Sequence, residues 1–154
     1  SFDPNIRRKL WSEEEAKKTL KPLLLASDIA LLGEDEGELL LGTSDAQQIS
    51  KLLLASGVRS VGVKQGSRGS SVADASGFYQ IDPYPVKVVD TIGAGDAFNA
   101  GFLTGFLEGK PIKECGLMGS LIGGLAVSSY GDTEGLPDRS TFDRLLAQKE
   151  EIHR

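Results

Sequence analysis

The sequence predicts an α/β fold in which helices flank a layered sheet. Three observations support this class: helical segments alternate with short buried strands, several helices begin with capping residues, and a glycine-containing hairpin joins two later strands. Helices that alternate with buried strands imply right-handed crossovers within one sheet. The 154 residues, 40% hydrophobic and 25% charged, are typical of one soluble globular domain.

Capping residues and proline define the elements of the first part of the chain. Pro4 limits residues 1–5 to the end of a strand. Ser12 and Glu15 form a capping-box pattern, which predicts a helix that runs to about Leu25. The next predicted elements are a buried strand over 28–32, a short helix over 36–41 and a helix from its cap at Ser44 to about Ser56.

Alternating apolar and polar residues predict three strands in the middle of the chain. Residues 59–64 form the first, Gly66 and Gly69 bracket the turn into the second at 70–73, and the third covers 78–81 after a hairpin turn at 74–77. This arrangement indicates an antiparallel edge. A further short strand is predicted over 86–89, followed by helices over 94–107, 112–129 and 140–149, the last with Ser140 as its cap.

Composition excludes several classes of partner. The net charge of −5 gives no reason to expect a nucleic acid, since binding to its phosphate backbone needs a basic face. No apolar run approaches the roughly 20 residues that cross a bilayer, so no membrane association is expected. The single cysteine, Cys115, fits core packing in a reducing cytoplasm better than nucleophilic catalysis. The first residues show neither an initiator Met nor a signal-peptide pattern, which indicates a cut through a longer protein.

Glycine is over-represented, with 19 of 154 residues, and the motif VDTIGAGDAF at 89–98 is the most informative glycine cluster. Its glycines allow close approach of a ligand, and the free N–H groups of the helix that follows form a site for an anion such as a transferring phosphate. Asp96 lies in the first turn of that helix, where a carboxylate could orient an attacking hydroxyl and accept its proton. On spacing alone, Gly93 and Gly95 could equally shape a turn and Asp96 could cap the helix.

The motif DTIGAGDAF, with the glycine-spaced NAGF at 99–102, closely resembles the signature of the ribokinase-like (phosphofructokinase B) family of carbohydrate kinases. The resemblance implies a ribokinase-like, layered α/β/α sandwich of Rossmann-like type. It also implies an anion hole at Gly93, Ala94 and Gly95, and Asp96 as the catalytic base in contact with the substrate. It extends over essentially all of residues 1–154, which correspond to the C-terminal nucleotide-binding part of such a kinase. The N-terminal sugar-binding part and lid of the family would lie outside this chain.

Two further stretches resemble loops of the ATP site. The opening FDPNIRRKLWS resembles the D-x-N-x-R-x-x-L-W of 2-keto-3-deoxygluconate kinases, which implies that Asn5 and Arg7 contact ATP and that Arg7 also contacts the acid substrate. A guanidinium suits this role because its fork binds carboxylate or phosphate in a bidentate way. A solvated Arg7 in a basic cluster is the open alternative. The segment KQGSRG resembles the family's K-x-G-x-x-G loop, which implies further ATP contacts from Lys64, Gly66, Ser67, Arg68 and Gly69. Taken alone, this pattern could belong to any hairpin.

Two acidic motifs complete the resemblance. The segment SSYGDTEGLP at 128–137 resembles the G-D-x-E-G-x-P tail of the same kinases, and it could line the nucleotide pocket or terminate a helix. The family's N-x-x-E motif, which organises Mg²⁺ and phosphate, is matched by GEDE at 33–36, so that Glu36 is kept and the Asn is not. Glu36 could reach Mg²⁺ through water, because Mg²⁺ keeps several waters and binds mainly through nucleotide phosphates. A solvated acidic helix start is the alternative.

The implied activity is transfer of the γ-phosphoryl group of ATP to a sugar or sugar acid, with 2-keto-3-deoxygluconate as the favoured acceptor. A fructokinase, ribokinase, nucleoside kinase or non-catalytic nucleotide-binding module are the alternatives. The implied cofactors are ATP and Mg²⁺, with a monovalent cation as a further candidate, and Asp90 and Thr91 join the ATP contacts. The whole protein is expected to be a cytoplasmic homo-oligomer, and this part alone is expected to be inactive.

Overall fold

The computed structural model describes residues 1–7 and 9–152, with side chains up to residue 148. The chain divides into two compact units, Ser1–Gln80 and Ile81–Arg154. Its elements in chain order are α1 (Glu13–Leu25), β1 (Ile29–Gly33), α2 (Glu34–Leu41), α3 (Ala46–Ala55), β2 (Ser60–Lys64), β3 (Ser70–Asp74), β4 (Gly77–Ile81), α4 (Ala94–Leu107), α5 (Ile112–Ala126) and α6 (Arg139–Ile152). None of the helices in these described residues is long and apolar enough to span a bilayer.

The first unit is built on a four-stranded sheet with the order β1-β2-β3-β4. β1 and β2 run parallel, with Ile29 opposite Ser60, and α2 and α3 lie between them in the chain. β2 and β3 run antiparallel, with Val61 opposite Ala73, and a turn at 75–76 leads from β3 into β4. A parallel pair needs a long crossover, whereas an antiparallel pair needs only a short turn. This mixed sheet confirms the predicted α/β class.

The helices and the sheet of the first unit share one apolar core. α1 contributes Leu24, α3 contributes Ile49 and Leu53 at helical spacing, and β2 contributes Val61 and Val63 from one face of the strand. All five side chains are fully buried. Burial of a side chain of this size stabilises the fold by about 1.5–3 kcal/mol. This core therefore holds α1, α3 and β2 together.

Glycines bring α4 and α5 of the second unit into close contact. A Cβ on Gly101 of α4 would lie 2.5 Å from the carbonyl oxygen of Met118, and one on Gly119 of α5 would lie 2.8 Å from the Phe98 ring. Any side chain at these positions would push the helices apart. Phe142 of α6 packs against Met118, so α5 contacts both of the other helices.

The predicted strand over 86–89 is wrong. Residues 82–88 are irregular, because Pro83 and Pro85 lack backbone donors and nearby side chains such as Val88 are exposed rather than packed in a sheet. The end of this segment is instead held by α5. Val89 N and Asp90 N both donate to the carbonyl oxygen of Val127, at 2.8 and 3.2 Å.

Several predicted boundaries and caps also differ from the structure. Asp45, and not Ser44, caps α3, because its carboxylate accepts from Gln48 N at 2.7 Å. α6 begins at Arg139, so Ser140 lies inside it, and Asp138 accepts from Thr141 N at 2.8 Å. α2 begins two residues earlier than predicted, and α5 ends at Ala126 rather than at 129. Of residues 1–5, only Phe2 pairs with the sheet, in an isolated bridge to Ala30.

Candidate functional site

The glycine turn of the second unit is held in a conformation that only glycine adopts easily. Asp90 Oδ1 accepts from Ile92 N at 3.0 Å and closes a small side-chain turn. Gly93 has φ 77° and ψ −9°, in the left-handed region, and it is the N-cap of α4 without a side-chain cap. The chain therefore turns sharply at Gly93 and enters α4 directly.

The first turn of α4 presents free donors beside a carboxylate. The first backbone bond of the helix runs from Ala97 N to Gly93 O at 2.9 Å. Among the described residues, none accepts a hydrogen bond from Gly95 N or Asp96 N, and the side chain of Asp96 is exposed. A helix N-terminus with open amides carries a partial positive charge and attracts anions. This turn can therefore bind a negatively charged group next to the Asp96 carboxylate.

The loop at 128–137 packs directly against the glycine turn. A Cβ on Gly93 would lie 3.2 Å from Asp132 Cα and 3.3 Å from Asp132 O. The loop contains its own left-handed glycine, Gly131 with φ 92°, and Glu134 Oε2 accepts from Thr133 N at 3.1 Å. The motif is visible in the sequence, but its contact with the turn is not, because the two segments are about forty residues apart in the chain.

In the first unit, the segment that carries Asn5 and Arg7 is anchored by Asp3. Asp3 Oδ2 lies 2.6 Å from Lys64 Nζ, and Asp3 Oδ1 accepts from Asn5 N at 3.1 Å. Asn5 has φ 44°, the only positive φ of a non-glycine residue in the described chain. The side chain of Arg7 is exposed. The Lys64 ammonium is thus already paired with Asp3, the first residue of the D-x-N-x-R motif, to which the sequence assigned no role.

Glu36 uses both carboxylate oxygens to bind backbone amides. Oε1 accepts from Ile6 N and Oε2 accepts from Gly33 N, each at 2.8 Å. These residues border an open cavity of about 490 Å³. The cavity is lined by Ile6, Gly33, Glu34, Asp35, Glu36, Leu39, Lys64, Gln65 and Gly66.

The loop after β2 forms a tight turn, as the K-x-G-x-x-G pattern predicted. Residues Gly66–Arg68 form a single 3₁₀ turn, and Gln65 N donates to Gly69 O at 2.9 Å. Arg68 pairs with Glu34, whose other oxygen accepts from Gln65 Nε2 at 2.9 Å. The side chain of Ser67 is exposed and, like Arg7 and Arg68, it lies outside the lining of the cavity described above.

The predicted site residues thus fall into two groups. In the first unit, Asn5, Glu36 and Lys64 are linked through Asp3 and the Ile6 amide, while Arg68 lies with Glu34 and Gln65. In the second unit, residues 90–96 form one continuous turn and helix start. No cluster of three acidic, His or Cys side chains that could hold a metal occurs within residues 1–7 and 9–148.

The family of the chain follows from comparison with known proteins. Residues 1–139 match the model of the pfkB family of carbohydrate kinases, and the chain belongs to this family. This confirms the resemblance carried by DTIGAGDAF. The chain is 35% identical to a 2-dehydro-3-deoxygluconokinase of Bacillus subtilis, over 99% of this chain and 48% of that protein. It is 31% identical to a fructokinase of Escherichia coli, over 93% of this chain and 49% of that protein.

The structural neighbours are ribokinase-fold kinases, which confirms the predicted fold. A crystal structure of an Escherichia coli protein assigned as a ribokinase II, in complex with ATP and Mg²⁺, superposes with a TM-score of 0.85 and 31% identity. The match covers 97% of this chain and 48% of that chain. The present chain therefore spans about half the length of the relatives it matches.

Proposed function

We propose that the protein containing this chain transfers the γ-phosphoryl group of ATP to a primary hydroxyl of a small sugar acid, the 6-hydroxyl of 2-keto-3-deoxygluconate. The observation that carries this proposal is the exposed Asp96 carboxylate beside the open amides of Gly95 and Asp96. Phosphoryl transfer needs a base for the attacking hydroxyl next to donors for the charge on the transferring group. The first turn of α4 offers both.

Each part of the glycine turn has a role in this proposal. Asp96 orients the sugar hydroxyl and accepts its proton, and it thereby contacts the substrate. The amides of residues 93–96 stabilise the negative charge that develops on the transferring group. Those of Gly95 and Asp96 are open and fixed by the helix start, whereas Ala94 N donates to Thr91 O at 3.4 Å.

The nucleotide would be held by the loops that the sequence identified. Arg7 would bind both the triphosphate and the carboxylate of the sugar acid, since a guanidinium can bind either in a bidentate way. Lys64 would act together with its partner Asp3, so its charge is partly balanced before ATP arrives. The proposed ATP contacts are Asn5, Arg7, Lys64, Gly66, Ser67, Arg68, Gly69, Asp90, Thr91, Gly93 and Gly95.

Mg²⁺ bound to ATP would neutralise phosphate charge, as in phosphoryl transfer generally. The residues described here fit a metal held mainly by the nucleotide, because Mg²⁺ keeps several waters and the Glu36 oxygens, which accept from two amides, have lone pairs left for one of these waters. A contact from Glu36 to Mg²⁺ through water stays a prediction. A bound monovalent cation, a homo-oligomeric state and a cytoplasmic location also stay predictions.

The choice of a sugar acid rests on the motifs at the two ends of the chain. The Bacillus relative is named a 2-dehydro-3-deoxygluconokinase, and the D-x-N-x-R and G-D-x-E-G segments resemble those kinases. A fructokinase is the alternative, because a relative of that name is 31% identical. Turnover of the intact protein with 2-keto-3-deoxygluconate, fructose, ribose and adenosine distinguishes them. A preference for fructose would contradict the sugar-acid proposal.

The test of Asp96 is its replacement by asparagine in the intact protein. We expect Asp96→Asn to keep ATP binding and to lower turnover at least a hundredfold, since general bases contribute about 10²–10⁴ in rate. Glu14→Gln, an exposed acidic residue in the first turn of α1, is the matched control and should leave turnover unchanged. Near-normal turnover of Asp96→Asn would show that Asp96 is not the base. Nucleotide binding without phosphoryl transfer by the unaltered protein would instead favour a non-catalytic module.

A further inference from the structure

Glu36 joins two segments that are distant in the chain. Its Oε2 accepts from Gly33 N, at the N-cap of α2, and its Oε1 accepts from Ile6 N, in the segment that carries Arg7. Both distances are 2.8 Å, and a carboxylate that accepts from N–H groups forms charge-assisted bonds. The side chain of Glu36 therefore ties the start of α2 to the residue directly before Arg7.

The segment from Asp3 to Arg7 depends on such side-chain acceptors. Phe2 exchanges backbone hydrogen bonds with β1, through Ile29 O and Leu31 N. Asn5 N instead donates to Asp3 Oδ1, and Asn5 adopts a left-handed φ of 44°. A left-handed non-glycine residue persists when the surrounding contacts hold it.

Two carboxylates, those of Asp3 and Glu36, hold this segment, and each is fixed by a different contact. Asp3 is fixed by its ion pair with Lys64 at the end of β2, where both side chains are only 20% exposed. Glu36 is fixed by its own helix start through Gly33 N. The two carboxylates bind successive amides, Asn5 N and Ile6 N, so the backbone that leads into Arg7 has a defined direction.

We propose that Glu36 is a positioning residue. It fixes the backbone next to Arg7, so that the Arg7 guanidinium can reach the carboxylate of the substrate. This inference rests on the proposed function, in which Arg7 binds the sugar acid. The geometry supports a positioning role, because the two oxygens of Glu36 accept from amides and one of these amides lies in the segment that carries Arg7.

The first test is Glu36→Gln in the intact protein. A glutamine offers one acceptor oxygen and one donor NH₂, so it can bind only one of the two amides and turns a donor toward the other. We expect kcat/KM for 2-keto-3-deoxygluconate to fall about tenfold, because a displaced Arg7 guanidinium loses a charge-assisted hydrogen bond to the substrate carboxylate. An unchanged kcat/KM in Glu36→Gln would overturn the proposal.

The second test is a double-mutant cycle with Arg7→Ala. If Glu36 acts through Arg7, Glu36→Gln should change kcat/KM less than about twofold once Arg7 has been replaced, since coupled residues are not additive. If the fold-changes in kcat/KM of Glu36→Gln and Arg7→Ala simply multiply in the double variant, the positioning role is contradicted. Glu38→Gln is the matched control, because Glu38 is an exposed residue of the same helix, and it should leave kcat/KM unchanged.

Hydrogen exchange separates failure of this inference from failure of the proposed function. The amides of Ile6 and Gly33 should exchange faster in Glu36→Gln than in the unaltered protein, and at the unaltered rate in Glu38→Gln. Unchanged exchange at Ile6 in Glu36→Gln would refute the positioning role whatever the substrate is. Faster exchange at Ile6, combined with an Arg7→Ala variant of normal kcat/KM, would support the anchoring of the segment and refute the proposed role of Arg7 toward the sugar acid.

Discussion

The backbone of Asp132 lies directly against the Cα of Gly93. A Cβ on Gly93 would be 3.2 Å from Asp132 Cα and 3.3 Å from Asp132 O, tighter than ordinary van der Waals contact. Gly93 also has φ 77°, where side chains are disfavoured. Glycine is therefore required at this position for two separate reasons, and the loop at 128–137 supports the turn that holds the proposed catalytic groups.

Gly93→Ala should affect both stability and phosphoryl transfer. The left-handed conformation costs an alanine about 1–2 kcal/mol, and contact with Asp132 forces the turn or the loop to move. Because the amides of the turn must match the position of the transferring group, we expect turnover to fall at least tenfold in the intact protein. Denaturant unfolding and steady-state kinetics measure the two effects.

Gly109→Ala is the matched control, because it introduces the same backbone strain at a positive φ without a close contact to another segment. Gly109 follows α4 with φ 71°, but among the described residues no atom beyond those of Gly109 and its chain neighbours lies within 4 Å of the position of its Cβ. It should lose about the same 1–2 kcal/mol of stability and keep its turnover. Equal losses of turnover in the two variants would show that contact with Asp132 does not support the turn.

A pair of substitutions at the interface between α4 and α5 tests the close approach of these helices. A Cβ on Gly101 would lie 2.5 Å from Met118 O, whereas a Cβ on Gly123 would lie 3.3 Å from Ala94 O. We expect Gly101→Ala to destabilise the protein by about 1–3 kcal/mol through overpacking. In Gly123→Ala, the better helix propensity of alanine, about 1 kcal/mol, should largely offset the milder contact. Denaturant unfolding of both variants provides the comparison, and equal stabilities would contradict the interface.

Local sequence signals predicted those parts of the structure that depend on neighbours in the chain. The capping box of Ser12 and Glu15 is present, and α4 begins at Ala94 directly after the glycine turn, as predicted. Both depend on contacts within a few residues. The predicted strand over 86–89 fails for the opposite reason, because a strand needs a partner and the Val127 carbonyl binds this segment instead.

The anchoring of the candidate site could not be predicted from spacing. Asp3 and Lys64 are 61 residues apart in the chain, and Glu36 and Ile6 are 30 apart. Nothing in the local pattern indicates which carboxylate reaches which donor after folding. The family resemblance predicts that Lys64 and Glu36 lie near the nucleotide, while only the structure shows that each is already bonded to the segment before Arg7.

The pairing of Asp3 and Lys64 should contribute measurably to stability. Both side chains are 20% exposed at a separation of 2.6 Å, so water screens their attraction only in part. A double-mutant cycle with Asp3→Asn and Lys64→Met should give a coupling of about 1–2 kcal/mol, between the values of surface and buried pairs. Lys110 and Glu114, 3.7 Å apart and about 40% exposed, are the comparison pair. Their coupling should be about 0.3–0.5 kcal/mol, and a larger value there than for Asp3 and Lys64 would contradict this ranking.

The capping box of α1 should make stability depend on acid pH. The pKa of Glu15 is lowered because its carboxylate accepts hydrogen bonds from the Ser12 hydroxyl and the Ser12 amide. A carboxyl group whose pKa is lower in the folded state stabilises the protein fully above its pKa in the unfolded chain. That contribution is lost as the pH falls through the lowered pKa of the folded state.

Glu15→Gln should therefore be less stable than the unaltered protein at pH 7, and the difference in unfolding midpoint should shrink below the ordinary pKa of glutamate. Glu14→Gln, in the same turn, should show a smaller difference at pH 7. If the difference in unfolding midpoint between Glu15→Gln and the unaltered protein is constant from neutral to acid pH, the ionised carboxylate does not stabilise the start of α1.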